Sequence, residues 1–248
     1  MHPNLFSIGL VTLHSYGLLV AVGIVAASSY LTKHAVRVGK TQDEMIDLIL
    51  VTTVSGFIAA RILYVIYEFP YYATHPMEIF AIWKGGIILY GGLLGGVAGF
   101  LGFTWWRRWP VLKTLDLFTP AMALAHGFGR IGCFLNGCCY GKETACPLGV
   151  VFPFSKMPLH PTQLYEATFC FLLFAFLVIF YKRYHEKVGL TSLLYFSIYP
   201  AGRFAIEFLR NDMGRLWLGL TLGQWMSIGI LTGTIVIFFI LRPRTHAH

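Results

Sequence analysis

Charge is what this sequence has least of. Of 248 residues only 12% are Asp, Glu, Lys or Arg, against about 25% in an ordinary soluble domain. Too little charge remains to cover a water-facing surface, which excludes a conventional soluble enzyme. Acidic groups are scarcest, with 11 Asp and Glu against 19 Lys and Arg. Low-complexity tracts are lacking, and no internal repeat stands out. The start, Met1-His2-Pro3-Asn4, has no basic segment ahead of the first apolar stretch, so no cleavable signal peptide is expected. What is abundant is apolar: 56% of residues are hydrophobic and 16% aromatic.

A membrane-crossing helix needs roughly 20 mostly apolar residues. Stretches of that kind occupy about 12–32, 46–68, 86–106, 114–135, 165–184, 190–210 and 220–241. The expected fold is therefore an all-α polytopic membrane protein with about seven transmembrane helices. It is read as one membrane-embedded domain over 1–248, with a small outer loop region at about 136–164. Tyr64, Tyr67, Phe69, Tyr71 and Tyr72, and the run Trp105-Trp106-Arg107-Arg108-Trp109, look like interfacial belts.

The basic residues orient the bundle. Lys33, Arg37, Lys40, Arg107, Arg108, Lys113, Lys182, Arg183, Lys187, Arg242 and Arg244 follow spans 1, 3, 5 and 7 and so fall on one side. The positive-inside rule makes that side cytoplasmic and places the N-terminus outside. Lys84, Lys142, Lys156 and Arg215 fall in outer loops. The net charge of +8 thus reflects topology, and no nucleic-acid partner is expected.

The remaining arginines lie within spans or at their outer ends. An ionisable group in hydrocarbon costs a few kcal/mol or more, so it faces a partner, a cavity or a function. Arg203, Glu207 and Arg210 are spaced to share one face of span 6. Arg130 ends span 4, and Arg61 and Glu68 share a face of span 2. Helix-gluing ion pairs are one reading. The other is an anion site, because arginine presents a fork of donors matched to phosphate. Two arginines with one carboxylate leave one positive charge, which suits a phosphodiester entering from the lipid.

Around Arg130 runs His126-Gly-Phe-Gly-Arg130-Ile-Gly-Cys-Phe-Leu-Asn136-Gly-Cys-Cys-Tyr-Gly141. Four of the five cysteines, Cys133, Cys138, Cys139 and Cys146, crowd into residues 133–146, and Cys170 lies in span 5. On the outer side, a disulfide from Cys146 to Cys138 or Cys139 is one expectation. A reactive thiol is another. The adjacent Cys138-Cys139 pair fits a zinc-knuckle spacing poorly, so no metal is expected.

These residues resemble the signature of the bacterial prolipoprotein diacylglyceryl transferases. Gly-Arg130-Ile-Gly with Asn136-Gly and Gly141 is similar to that family's central motif. His14-Ser15-Tyr16-Gly17, Leu89-Tyr90-Gly91-Gly92, His160-Pro161-Thr162-Gln163-Leu164-Tyr165-Glu166, Tyr199-Pro-Ala-Gly-Arg203-Phe-Ala-Ile-Glu207-Phe-Leu-Arg210 and Leu222-Gly223-Gln224 resemble its other motifs, in order. The resemblance spans the chain. It implies transfer of the diacylglyceryl group of phosphatidylglycerol to the lipobox cysteine of a prolipoprotein signal peptide, with release of glycerol 1-phosphate. It implies no cofactor, and a place in the bacterial cytoplasmic (inner) membrane with the site toward the outer leaflet.

The resemblance and the charge pattern nominate Arg130, Arg203, Tyr199, Tyr90 and His126 as catalytic. Arg130, Tyr16, Asn136, Gly141, His160, Gln163, Glu166, Glu207 and Arg210 are nominated for substrate binding. Glu166 equally suits a helix-dipole cap. Two departures stand out: many family members have histidine at Tyr90, and Asn and Glu at Cys133 and Cys138. A same-fold paralogue moving another lipid moiety, or a transporter or scaffold, are the alternatives. The missing repeat and the one-sided charges speak against a transporter.

Overall fold

The computed structural model describes residues 4–8, 11–81, 85–211, 214 and 216–241. Lys84, Asp212, Arg215, Arg242 and Arg244 lie outside the described residues. The chain is helical, with α1 at Ser15–His34, α2 at Gln42–Tyr67, α3 at Phe69–Thr74, α4 at Leu89–Trp106, α5 at Val111–Asn136, α6 at Thr162–Tyr184, α7 at Leu190–Glu207 and α8 at Leu222–Leu241. Each stretch expected to span has its own long helix. Four helical segments, Ser15–Val38, Gln42–Tyr67, Thr162–Tyr184 and Leu222–Ile240, are long and apolar enough to cross a membrane. Glycines dilute the apolarity of α4, and ionisable residues that of α5 and α7.

Three details depart from the sequence expectation. Two small antiparallel strand pairs accompany the helices: β1 (Asn4–Ile8) with β2 (Val11–His14), and β3 (Val150–Val151) with β4 (Pro158–Leu159). β2 takes up the start of the first expected span, so its helix begins only at Ser15. The sixth helix-forming stretch stops at Glu207, which leaves Arg210 beyond the helix.

The chain forms two compact units, one of Met1–Tyr30 with Leu115–His248 and the other of Leu31–Thr114. In the second unit, Thr41 opens α2 with a reciprocal capping box: its Oγ1 accepts from the Glu44 amide at 3.2 Å, and its own amide donates to Glu44 Oε2 at 3.0 Å. α2 and α4 pack closely because α4 offers glycine along the contact. A Cβ on Gly91 would sit 2.6 Å from the Ala59 carbonyl oxygen, so only glycine permits this approach.

Arg61 does not pair with Glu68. Its guanidinium is buried and donates to four backbone carbonyls within 3.0 Å: Glu78 (2.7 Å), Ile79 (3.0 Å), Gly85 (2.6 Å) and Gly86 (2.9 Å). The rings of Tyr64 and Tyr72 flank it at 5.7 and 5.4 Å. Loop carbonyls thus serve where the sequence offered a carboxylate, because the segment after α3 folds back across the α2 face.

In the first unit, Ala123 of α5, Leu173 and Leu177 of α6 and Tyr195 of α7 form a buried core, with Phe169, Phe174, Phe196 and Tyr199 packed against it. Asp116 of α5 fixes where α7 begins. Its carboxylate accepts from the Gly189 amide at 2.5 Å, the Ser192 amide at 2.7 Å and Ser192 Oγ at 2.6 Å. A carboxylate at a helix N-terminus satisfies otherwise unpaired amides and complements the dipole. This clamp sets the height of α7 against α5.

Gly91→Leu is expected to wedge α2 from α4 and cost about 1–3 kcal/mol, read as a lower unfolding temperature in detergent. Gly102→Ala, where an added Cβ meets nothing within 4 Å, should leave that temperature unchanged.

Candidate active site

Two helices each contribute a pair of residues four apart, and such pairs share a helix face. α5 supplies His126 and Arg130, and α7 supplies Tyr199 and Arg203. Between them stands Glu166 of α6, only 2% exposed. Arg130 Nε lies 3.0 Å from Glu166 Oε2, while Arg203 Nε and His126 Nε2 lie 3.7 and 3.6 Å from Oε1. The Tyr199 hydroxyl donates to Oε1 at 3.0 Å and lies 3.3 Å from His126 Nε2. Glu166 is therefore no dipole cap. It lies past the first turn of α6 and is the point on which four side chains from two other helices converge.

A second carboxylate extends the cluster. Arg203 pairs with Glu207 one turn on, and Arg210 reaches the same carboxylate at 3.7 Å. Thr221, just before α8, donates to Glu207 Oε1 at 2.9 Å. Arg210 reaches Glu207 from a β-bridge with Gly141 instead of from the helix face. Among the described residues, the guanidinium groups of Arg130, Arg203 and Arg210 meet the carboxylates of Glu166 and Glu207 in a largely buried setting.

The loop after α5 is tied to the same cluster. The Gly141 amide donates to the His160 carbonyl at 2.9 Å, and the Lys142 amide to the Leu209 carbonyl at 2.7 Å. His160 Nδ1 lies 3.2 Å from the Tyr165 hydroxyl. At the start of α6, Thr162 Oγ1 and Gln163 Nε2 donate to the carbonyls of Cys139 and Cys138 at 2.7 and 2.5 Å. Tyr16, at the start of α1, lies beside Gly132 of α5 and within electrostatic reach of Arg130. Tyr90 belongs to the other unit, in the first turn of α4.

α5 ends in a glycine-capped turn. Gly137 adopts φ +75°, its amide donates to the Phe134 carbonyl at 3.1 Å, and the Cys138 amide donates to the Cys133 carbonyl at 3.2 Å. This hydrogen-bond pair defines a Schellman cap, which brings the residue after the glycine against the one five before it. Here those residues are Cys133 and Cys138. The sulfurs of Cys133, Cys138 and Cys139 all lie within 4.8 Å of one another. All five cysteines are free thiols, so the Cys146 disulfide is not formed, and exposed Cys146 stands outside the group. Hydrogen bonds from Cys133 and Cys139 hold the Cys138 thiol well below the usual thiol pKa, helped by the Asn136 amide and by Arg130, against the burial that opposes ionisation. Cys133 as a partner of Cys138 was not foreseen, although the spacing Cys-x-x-x-Gly-Cys at a helix end is its signal.

The fold defines a multi-pass helical membrane protein with a buried cluster of arginines and carboxylates. A family model described as prolipoprotein diacylglyceryl transferase matches residues 3–240. A phosphatidylglycerol–prolipoprotein diacylglyceryl transferase of Clostridium tetani is 39% identical, over 98% of this chain and 99% of its own length. One of Clostridium perfringens, bearing the number 2 in its name, is 38% identical over 91% and 90%. One of Staphylococcus haemolyticus is 34% identical over 96% and 87%. The chain belongs to the prolipoprotein diacylglyceryl transferase family.

Removing Glu166 leaves two buried guanidinium groups facing each other. Glu166→Ala is therefore expected to cost about 3–5 kcal/mol, seen as a large fall in unfolding temperature. Glu166→Gln, which keeps the shape and an acceptor for Tyr199, should lose less.

Proposed function

We propose that this protein transfers the diacylglyceryl group of phosphatidylglycerol to the lipobox cysteine of prolipoprotein signal peptides, releasing glycerol 1-phosphate. The observation that carries this reading is the pair of buried guanidinium groups, Arg130 and Arg203, that converge on Glu166 in a chain of this family. Their forks of donors suit a phosphodiester. The catalytic unit is one membrane-embedded domain of seven spans, N-terminus outside and C-terminus cytoplasmic, in the bacterial cytoplasmic (inner) membrane with the site toward the outer leaflet. The one-sided distribution of basic residues supports that orientation.

In the reaction the peptide's thiol loses its proton and its sulfur attacks the glyceryl carbon bonded to the phosphate oxygen. The new C–S bond forms as the C–O bond breaks, and the electron pair leaves on glycerol 1-phosphate. Arg130 and Arg203 stabilise the charge that grows on the departing phosphate, as positioned donors do in a site from which water is excluded. Glu166 aims both guanidinium groups, and Glu207 with Arg210 braces Arg203. His126 and Tyr199, hydrogen-bonded to each other, take the thiol proton. Tyr16, Asn136, Gly141, His160 and Gln163 contact the lipid headgroup or the peptide. Gln163 is suited to this: its Nε2 is used on Cys138, and its buried Oε1 has no hydrogen-bond partner among the described residues.

The deciding experiment is a transfer assay with purified protein, phosphatidylglycerol vesicles and a lipobox peptide, read by mass spectrometry. Lipid-modified peptide is expected, and its absence from a preparation that still binds phosphatidylglycerol would overturn the reading. Arg130→Ala and Arg203→Ala should each lower turnover by about 10²–10³-fold, with retained turnover in both counting against the phosphate assignment. His126→Ala should slow transfer by about 10²–10⁴-fold and Tyr90→Phe by much less. The reverse order would move the base to Tyr90.

A further inference from the structure

Three thiols converge at the end of α5, and the mechanism above uses none of them. The backbone is shaped to bring them together. The Schellman cap at Gly137 stacks Cys138 on Cys133, and Cys139 then adopts φ +65°, a left-handed conformation that costs a non-glycine residue about 1–2 kcal/mol. Neighbouring side chains in a regular strand point to opposite faces. The left-handed turn instead brings Cys138 Sγ and Cys139 Sγ to 3.5 Å, both beside Cys133. This removes the objection that adjacent cysteines cannot serve one ion. Thr162 and Gln163 pin the two carbonyls from α6, so the strained turn is held rigidly.

The spacing of the sulfurs has a chemical meaning. Tetrahedral zinc with Zn–S bonds of about 2.3 Å places its sulfurs ~3.8 Å apart. The three sulfurs here, 3.5 Å apart at one pair and all within 4.8 Å, need only small side-chain rotations to meet an ion. Charge fits too. Three thiolates around a divalent ion leave one negative charge, and Arg130, one turn before Cys133, lies within electrostatic reach of Cys133 and Cys139. Thiolate ligands select soft ions such as zinc over magnesium or calcium.

We propose that Cys133, Cys138 and Cys139 form a three-thiolate site for a zinc-type ion whose fourth position is open to a thiol. Three protein ligands with one open position distinguish a working zinc site from a closed structural one. A thiol that enters this position displaces water and binds as the thiolate, its proton passing to the His126–Tyr199 pair named above, because a metal-bound thiol is deprotonated outright. The identity of that thiol rests on the function proposed above: it is the cysteine of the acceptor peptide, held one helical turn from Arg130.

The test uses the full-length protein in detergent under reducing conditions, with metal counted by elemental analysis. The protein is then stripped and titrated with Co²⁺ alone, and the thiolate-to-cobalt charge-transfer band is followed. About one equivalent of zinc or cobalt per chain is expected, with the band lost in Cys133→Ser and in Cys139→Ser and kept in Cys146→Ser. Should the serine variants not fold, wild-type protein decides: zinc should protect three of the five thiols from alkylation. No stoichiometric uptake, a band that survives Cys133→Ser, or a disulfide among the three in the purified protein would overturn the site. A lipobox peptide should shift the cobalt bands and its Cys→Ser version should not; an unchanged spectrum overturns the open position. Metal uptake needs neither lipid nor transfer. Failed transfer with an intact cobalt spectrum therefore overturns the proposed function and leaves the site, and transfer without metal does the reverse.

Discussion

The buried carboxylate of Glu166 is the constraint around which the first unit is organised. In an apolar interior a lone carboxylate and lone guanidinium groups are each too costly to keep. Together they are tolerable only at hydrogen-bonding distance, so Glu166 fixes the positions of Arg130 and Arg203 and, through Tyr199, of His126. The rest follows as support. Asp116 sets the height of α7 so that Tyr199 and Arg203 meet α6 at the right level. The bridge between Gly141 and Arg210 holds the loop against the end of α7.

Much of this was legible in the sequence. Seven apolar stretches gave seven long helices, because hydrophobic length is a local property. The i, i+4 pairs His126/Arg130 and Tyr199/Arg203 were also readable, since helix periodicity alone puts each pair on one face. The residues that were misread share one cause: their partners are distant in sequence. Glu166 looked like a dipole cap because its arginines lie 36 residues before and 37 after. Arg61 was matched to the nearby Glu68, whereas its partners are carbonyls of a segment that folds back on it. Arg210 was placed on a helix that ends three residues earlier.

The cysteines teach something different. Their clustering is local and was in principle readable, but in terms of helix capping instead of metal-motif spacing. Asn136-Gly137 announces a left-handed cap, and the two cysteines that flank the cap at five residues' separation must then touch. The pairing expected for Cys146 relied on compartment and proximity in sequence, which say nothing about direction.

The carbonyl cage around Arg61 has a consequence of its own. Four peptide oxygens within 3.0 Å treat the guanidinium much as an ion-binding loop treats a bound metal. This ion is tethered to α2 through its own side chain. The carbonyls of Glu78, Ile79, Gly85 and Gly86 therefore gather around a cation that cannot be chelated away. Unlike a calcium loop, these carbonyls keep their cation when free metal is removed, and they do so in the unit that carries Tyr90.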